Sequence, residues 1–390
     1  MSAICLYDGT VYTGITVLPK STVIIRDGLI EDVISNARLK QRQLPADTKI
    51  YYLHGANIAA GFLDTHIHGI NGFDTSDGTE EAVLGMSQSL LEYGVTGFCP
   101  TLYPQDQEHF LHCIRTVVSA IGKEPGAKIL GLHLEGPFVS RDKQGVLDPT
   151  HMREVDLDLM TSYLEAAQGH IAIMTVAPEL KNMRDLALFC IKHKIKLSAG
   201  HTNATYENML EGFQAGITHS THFFNAMRRQ HHRDPGVVGA ILIHPEVSCE
   251  VIADGYHLHP AILKLLMRVK PIDKIVMVTD ALKPTEQRSG KLIANHEEVY
   301  FDEGVFKRSQ DHTIAGSALT MIRGIEKLHE IGIPMEAAVR MANLNPATVL
   351  NLQDRIGSLL PGKDGDVVVF DQEFKVLMTI IKGDVRKFSE

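Results

Sequence analysis

The sequence has no apolar run near the ~20 residues that a bilayer span needs, and its opening "MSAICLYDGT" has no basic stretch leading into an apolar one. These absences argue against a membrane partner and against a secretory signal. Cysteine is sparse. The five residues Cys5, Cys99, Cys113, Cys190 and Cys249 are odd in number and form no C-x-x-C. That pattern excludes a disulfide framework and points to reduced thiols in a cytoplasmic protein. Positive charge is also short: the net charge is −9 with no basic block to offset it, so nucleic acid is not an expected partner. No G-x-G-x-x-G follows the first core strand, which counts against an open dinucleotide-binding sheet.

What is present suits a large soluble globular protein. The 390 residues are 44% hydrophobic and 22% charged, enough for one large α/β domain with a smaller one, or two ordinary domains. Histidine is abundant, with 20 residues, and it is the commonest metal ligand. One local basic cluster, "MRRQHHRDPG" at 227–236, suits a small anion.

The two chain ends share a texture of short strands and turns, as in "STVIIRDGLIEDVI" and "GKDGDVVVFDQEFKVLMTIIKGDVRK". Residues 1–56 and 347–390 are therefore expected to pair into one small β-sandwich domain. The middle, 57–346, alternates eight short apolar strands with amphipathic helices. "EEAVLGMSQSLLEYG" follows Thr79 as cap and stops at Gly94; "NATYENMLEGFQAG" is expected to begin after Thr202-Asn203 and to stop at Gly216. Eightfold alternation predicts a parallel (β/α)8 TIM barrel, with a β-hairpin insertion near 291–316.

The polar residues that interrupt these strands fall at their C-terminal ends: His66, His68, Glu135, His201, His222, His257 and Asp280. In such a barrel that rim carries the active site. In "GFLDTHIHG", His66 and His68 are two apart on a strand, so both rings face one side. Glu135 ends the apolar strand of "GLHLEGPF", where an unpaired carboxylate would be costly to bury. Together with His201 and His222 it forms a carboxylate-plus-two-imidazole set that suits a catalytic divalent ion, whether Zn, Fe, Mn or Co. His219, three residues before His222, is expected on the opposite face, and His133 beneath the site. Asp280 in "VMVTDAL" is placed to move a proton, and His257 to stabilise charge on a carbonyl oxygen. The implied reaction is hydrolysis of an amide, an ester or a cyclic amide.

"GFLDTHIHG", "HLEGPF", "SAGHTNAT", "THFFNAMR", "DPGVVGAIL", "ADGYHLHP", "VTDAL" and "AGSALTM" resemble, in order, the motifs of the N-acetylglucosamine-6-phosphate deacetylase family of amidohydrolases. The resemblance runs over nearly the whole chain. It implies a principal metal site at Glu135, His201 and His222, with Asp280 as general acid/base and His257 polarising the acetamido carbonyl. It further implies contacts to a phosphosugar from Asn225, Ala226, Arg233 and Asp254. Val146, Leu147, Ile314, Ala315 and Gly316 complete the pocket, and the implied assembly is a homodimer. This chain keeps both His66 and His68, so one or two metals per subunit are implied. The galactosamine epimer and other amidohydrolase substrates stay open as alternatives. A cyclic amidase is disfavoured, because "TVAPE" ends strand four without a lysine.

Overall fold

Eight apolar segments form the staves of a parallel barrel: β1 (Phe62–Ile67), β2 (Val95–Leu102), β3 (Leu132–Leu134), β4 (Ile171–Val176), β5 (Lys196–Ala199), β6 (His219–Ser220), β7 (Cys249–Ile252) and β8 (Ile275–Val278). The computed structural model describes residues 3–287, 291–294 and 297–388; residues 1, 2, 389 and 390 of the expected terminal unit and 295 and 296 of the expected insertion lie outside the described residues. Consecutive strands pair in parallel from β1 to β6, and β7 pairs with β8.

Two seams close the ring through a few backbone bonds. Ser220 N donates to Ser248 O at 3.0 Å and Phe223 N to Glu250 O at 2.9 Å, which joins β6 to β7. Asp280 N donates to His66 O at 2.8 Å and His68 N to Ala281 O at 2.9 Å, which joins β8 to β1. Asp64 reinforces the second seam by accepting from Thr279 Oγ1 at 2.5 Å and Thr279 N at 3.2 Å. Burial pushes the Asp64 carboxyl up to about 7 against the pull of those donors.

The helices follow the apolar stripe of period 3.6. In α1 (Glu80–Leu90), Ala82, Val83, Met86 and Leu90 are buried, and the Thr79 hydroxyl accepts from Ala82 N as the expected cap. Gly94 ends the following turn at φ +79°. The helix at Tyr206–Gln214 starts later than the sequence suggests. Its cap is Thr205, because Glu179 engages Thr202 Oγ1 and Asn203 N, holding those residues out of the helix.

The chain ends form one sheet in the order Asp384–Lys387, Val376–Ile381, Val367–Phe370, Asn57–Ala60, Ile4–Tyr12, Val17–Arg26, Leu29–Ser35, with Lys49–Tyr52 paired to Ile4–Tyr12. Strand alternation divides its side chains. Ile58, Ala60, Val367 and Val369 enter a core of their own, whereas Ala59, Val368 and Phe370 join the barrel core. Phe62 and Phe370 meet across this junction at 6.2 Å between ring centroids. Truncating the fully buried Phe62 to Ala costs roughly 3–5 kcal/mol. Asn57–Ala60, assigned from the sequence to the barrel unit, thus pairs within the terminal sheet. The insertion after β8 is larger than a hairpin: four antiparallel strands run from Ile293 to Ser317. Its last strand returns to the barrel, where Ser317 N donates to Asp280 O at 2.8 Å.

Candidate active site

At the C-terminal ends of the strands the backbone leaves extended geometry. His201, His222 and Asp280 have φ of +45°, +28° and +51°, the left-handed region that non-glycine residues occupy at a cost of about 1–3 kcal/mol each. These turns aim His201 and His222 at Glu135, and Asp280 at His66 and His68.

His201 Nε2 and His222 Nε2 lie 3.2 and 3.0 Å from Glu135 Oε1 and 3.1 Å from each other. The other nitrogen of His201, Nδ1, is 2.9 Å from the Lys143 carbonyl, which can only accept. A neutral His201 therefore presents a lone pair at Nε2, against a carboxylate oxygen and a second imidazole. With His222 Nε2 and Glu135 Oε1 it makes a compact set of two ring nitrogens and a carboxylate oxygen, the donor types and number that suit a divalent metal.

A second set adjoins the first. His68 Nε2 is 3.3 Å from Glu135 Oε2 and 3.3 Å from Asp280 Oδ1. His66 Nε2 is 3.6 Å from Glu135 Oε1 and 3.5 Å from Asp280 Oδ1, and this wholly buried atom has no hydrogen-bond partner among the described residues. Ligand atoms of His66, His68 and Asp280 all lie within 4.8 Å of one another, as do those of Glu135, His201 and His222. Glu135 thus stands between two candidate cation positions: Oε1 faces His201, His222 and His66, and Oε2 faces His68. A third grouping, His66, His133 and Glu250, does not suit an ion. Both nitrogens of His133 are engaged, at 3.1 Å from Thr65 O and 2.8 Å from Thr175 Oγ1.

Without a metal, the cluster balances its own charge. Burial would raise the Glu135 and Asp280 carboxyls, but the neighbouring imidazoles outweigh it and hold both below the usual range. Burial would lower His66 and His68, yet Asp280 and Glu135 reverse this, and His68 is raised to about 9. His133, buried and beside His66, falls to about 3 and is neutral.

The cluster forms the floor of a cavity whose walls include Val146, Leu147, Asn225, Ala226, His257, Ile314 and Gly316. Three other expected substrate contacts lie elsewhere. Ala315 is buried in the core of the insertion. Asp254 spends both oxygens within its own turn, on Tyr256 N and His257 N at 2.9 Å each and on His257 Nδ1 at 2.6 Å. Arg233 is exposed outside the cavity, with Nη1 2.9 Å from His232 Nε2. Arg228 is paired with Asp234.

His219 does not point away from the site. The parity argument fails because β6 ends at Ser220, and the His219 ring lies inside the barrel against Ser248 Oγ and Glu250 Oε1. Tyr103, which also lines the cavity and packs against His68 at 5.6 Å, had no sequence signal. Glu250 had one: a carboxylate inside the apolar run "SCEVIA".

Residues 57–386 match the amidohydrolase family. The chain belongs to that family. This amidohydrolase is 34% identical over 385 residues to the N-acetylglucosamine-6-phosphate deacetylase of Haemophilus influenzae, covering 97% of this chain and 98% of that one. Its fold is similar to the crystal structure of N-acetylglucosamine-6-phosphate deacetylase from Pasteurella multocida, with a TM-score of 0.91, 27% identity and coverage of 99% and 100% of the two chains. It is equally similar to a mutant N-acetyl-D-glucosamine-6-phosphate deacetylase from Mycobacterium smegmatis in complex with N-acetyl-D-glucosamine-6-phosphate (TM-score 0.91, 28% identity, 99% of each chain). Among the described residues, no helix is long and apolar enough to cross a membrane.

Proposed function

We propose that this amidohydrolase removes acetate from N-acetyl-D-glucosamine 6-phosphate and leaves D-glucosamine 6-phosphate. The observation that carries the reading is the convergence of Glu135, His201 and His222 with His68 and Asp280 on the floor of one cavity. The likeness to N-acetylglucosamine-6-phosphate deacetylases supplies the substrate.

Glu135, His201 and His222 would hold the principal divalent ion, and His66, His68 and Asp280 would flank a second position. A bound ion supplies Lewis-acid activation of the attacking water and of the acetamido carbonyl. Asp280 takes the proton of the attacking water and delivers it to the amine nitrogen as the C–N bond breaks. His257 uses Nδ1–H on Asp254, which leaves Nε2–H to donate to the carbonyl oxygen as negative charge develops there. Burial opposes this protonation, but Asp254 and Asp280 outweigh it and raise the His257 pKa. Asn225, Ala226, Val146, Leu147, Ile314 and Gly316 receive the sugar.

The reading includes a cytoplasmic homodimer in which the exposed Arg233 reaches the partner subunit's substrate phosphate; bidentate pairing with phosphate suits a guanidinium. It also keeps 347–390 with the N-terminal residues through Ala60 as a supporting domain, and the barrel that follows as the catalytic one.

Acetate release from N-acetylglucosamine 6-phosphate, its galactosamine epimer and unphosphorylated N-acetylglucosamine tests the proposal. The highest kcat/KM is expected for the first. A preference for the epimer, or indifference to phosphate, would overturn it.

A further inference from the structure

Glu250 lies in β7 with 0% exposure, inside the barrel and beneath the two candidate cation positions. A buried carboxylate is costly unless each oxygen finds donors, and this one finds three. Oε2 lies 3.0 Å from His66 Nδ1 and accepts from the His222 backbone N at 3.1 Å; Oε1 lies 3.3 Å from His219 Nε2. An ionised carboxylate only accepts, so the proton of His66 sits on Nδ1. A neutral His66 then carries its lone pair on Nε2, the buried nitrogen with no hydrogen-bond partner among the described residues. That atom faces Asp280 Oδ1 at 3.5 Å and Glu135 Oε1 at 3.6 Å. The same Oε2 also ties down the backbone of His222, whose φ of +28° aims its ring at Glu135. One oxygen atom therefore links a ligand of each set.

We propose that Glu250 is the positioning residue that makes His66 a cation ligand, fixing its tautomer and ring so that the position flanked by His66, His68 and Asp280 can hold a divalent ion. The proposal rests on the reading of the site as a metal centre. Carboxylates hydrogen-bonded to ligating histidines fix ring orientation and raise ligand basicity. The nearest alternative, a purely structural carboxylate that bridges β1, β6 and β7, predicts lost stability without selective loss of metal.

The test is calorimetric titration of Zn²⁺ into metal-stripped protein, for the full chain and for Glu250→Gln. The amide keeps the shape but presents a donor or a weaker acceptor to His66 Nδ1. Two binding events are expected for the unaltered chain; Glu250→Gln should weaken the weaker event roughly 10- to 100-fold and the tighter one by less, because there Glu250 reaches only the His222 backbone and no ligating ring. If Glu250→Gln does not fold, Glu250→Asp, which withdraws the carboxylate by one methylene, takes its place with the same expectation. Two unchanged events, with or without a lower melting temperature, overturn the proposal while the metal reading stands. A single event in the unaltered chain overturns the second position and the proposal with it. No event at all overturns the metal reading itself.

Discussion

Asp254 Oδ2 stands 2.6 Å from His257 Nδ1, and the other oxygen of that carboxylate accepts two amides of the same turn. This pairing makes Asp254 a support for the His257 ring, which lines the cavity. It also carries a pH consequence. His257 has a raised pKa, so it stays protonated above the ordinary histidine value of ~6.5 and loses its second N–H only as pH rises through the raised value. The basic limb of kcat/KM should accordingly lie above that of a free histidine. Asp254→Asn removes the carboxylate and should shift the limb to lower pH. A limb that does not move would remove His257 from the chemistry.

Asp280 is the group assigned to proton transfer. Asp280→Asn should lower kcat by roughly 10²–10⁴-fold, while the metal bound at Glu135, His201 and His222 stays in place. Initial rates of acetate release with elemental analysis of the same sample check both halves. An active Asp280→Asn protein would contradict the assignment.

In the proposed reading His66 and His68 serve the second cation position only. Replacing both with Ala should remove one metal per subunit and retain the other, read by elemental analysis after extensive dialysis. Loss of both metals together would mean that the two positions are ranked wrongly.

Much of this site can be read from residue order because barrel geometry brings every strand's C-terminal end to one rim. A polar residue that ends an apolar run is therefore a candidate wherever it falls, which is why Glu135, His201, His222 and Asp280 stand out. The two-residue periodicity also works for His66 and His68, whose rings meet at 5.3 Å between centroids although the pairing of β1 with β2 shifts register between Asp64 and Ile67. The same rule misleads at His219, because β6 stops at Ser220 and the chain turns before His222. Glu250 shows in "SCEVIA" as a carboxylate inside an apolar run, but its role cannot be read there, for a different reason. It sits within its strand rather than at the end, and its partners come from β1, β6 and the turn after β6, far away in sequence. Asp254 reads as a substrate contact because nothing in "ADGYH" reveals that the turn folds the carboxylate back on His257.

Arg233 tests the assembly. It lies outside the cavity of its own chain, so Arg233→Ala should raise KM for the phosphorylated substrate by about 10- to 100-fold, the loss of a charged hydrogen bond worth roughly 1.5–3 kcal/mol, with little change in kcat. Mixing Arg233→Ala with Asp280→Asn subunits should restore part of the low-KM activity if the arginine serves its partner. No restoration would place Arg233 at its own site or at none.

The account depends most on a metal held by Glu135, His201 and His222. The direct measurement is acetate release from N-acetylglucosamine 6-phosphate by metal-stripped protein as Zn²⁺, Fe²⁺, Mn²⁺ or Co²⁺ is returned in known equivalents. Activity should be absent without metal, rise with the first equivalent of at least one of these ions, and fail to rise in Glu135→Gln. Full activity in the stripped protein, or rescue of Glu135→Gln to the level of the unaltered chain, would contradict it.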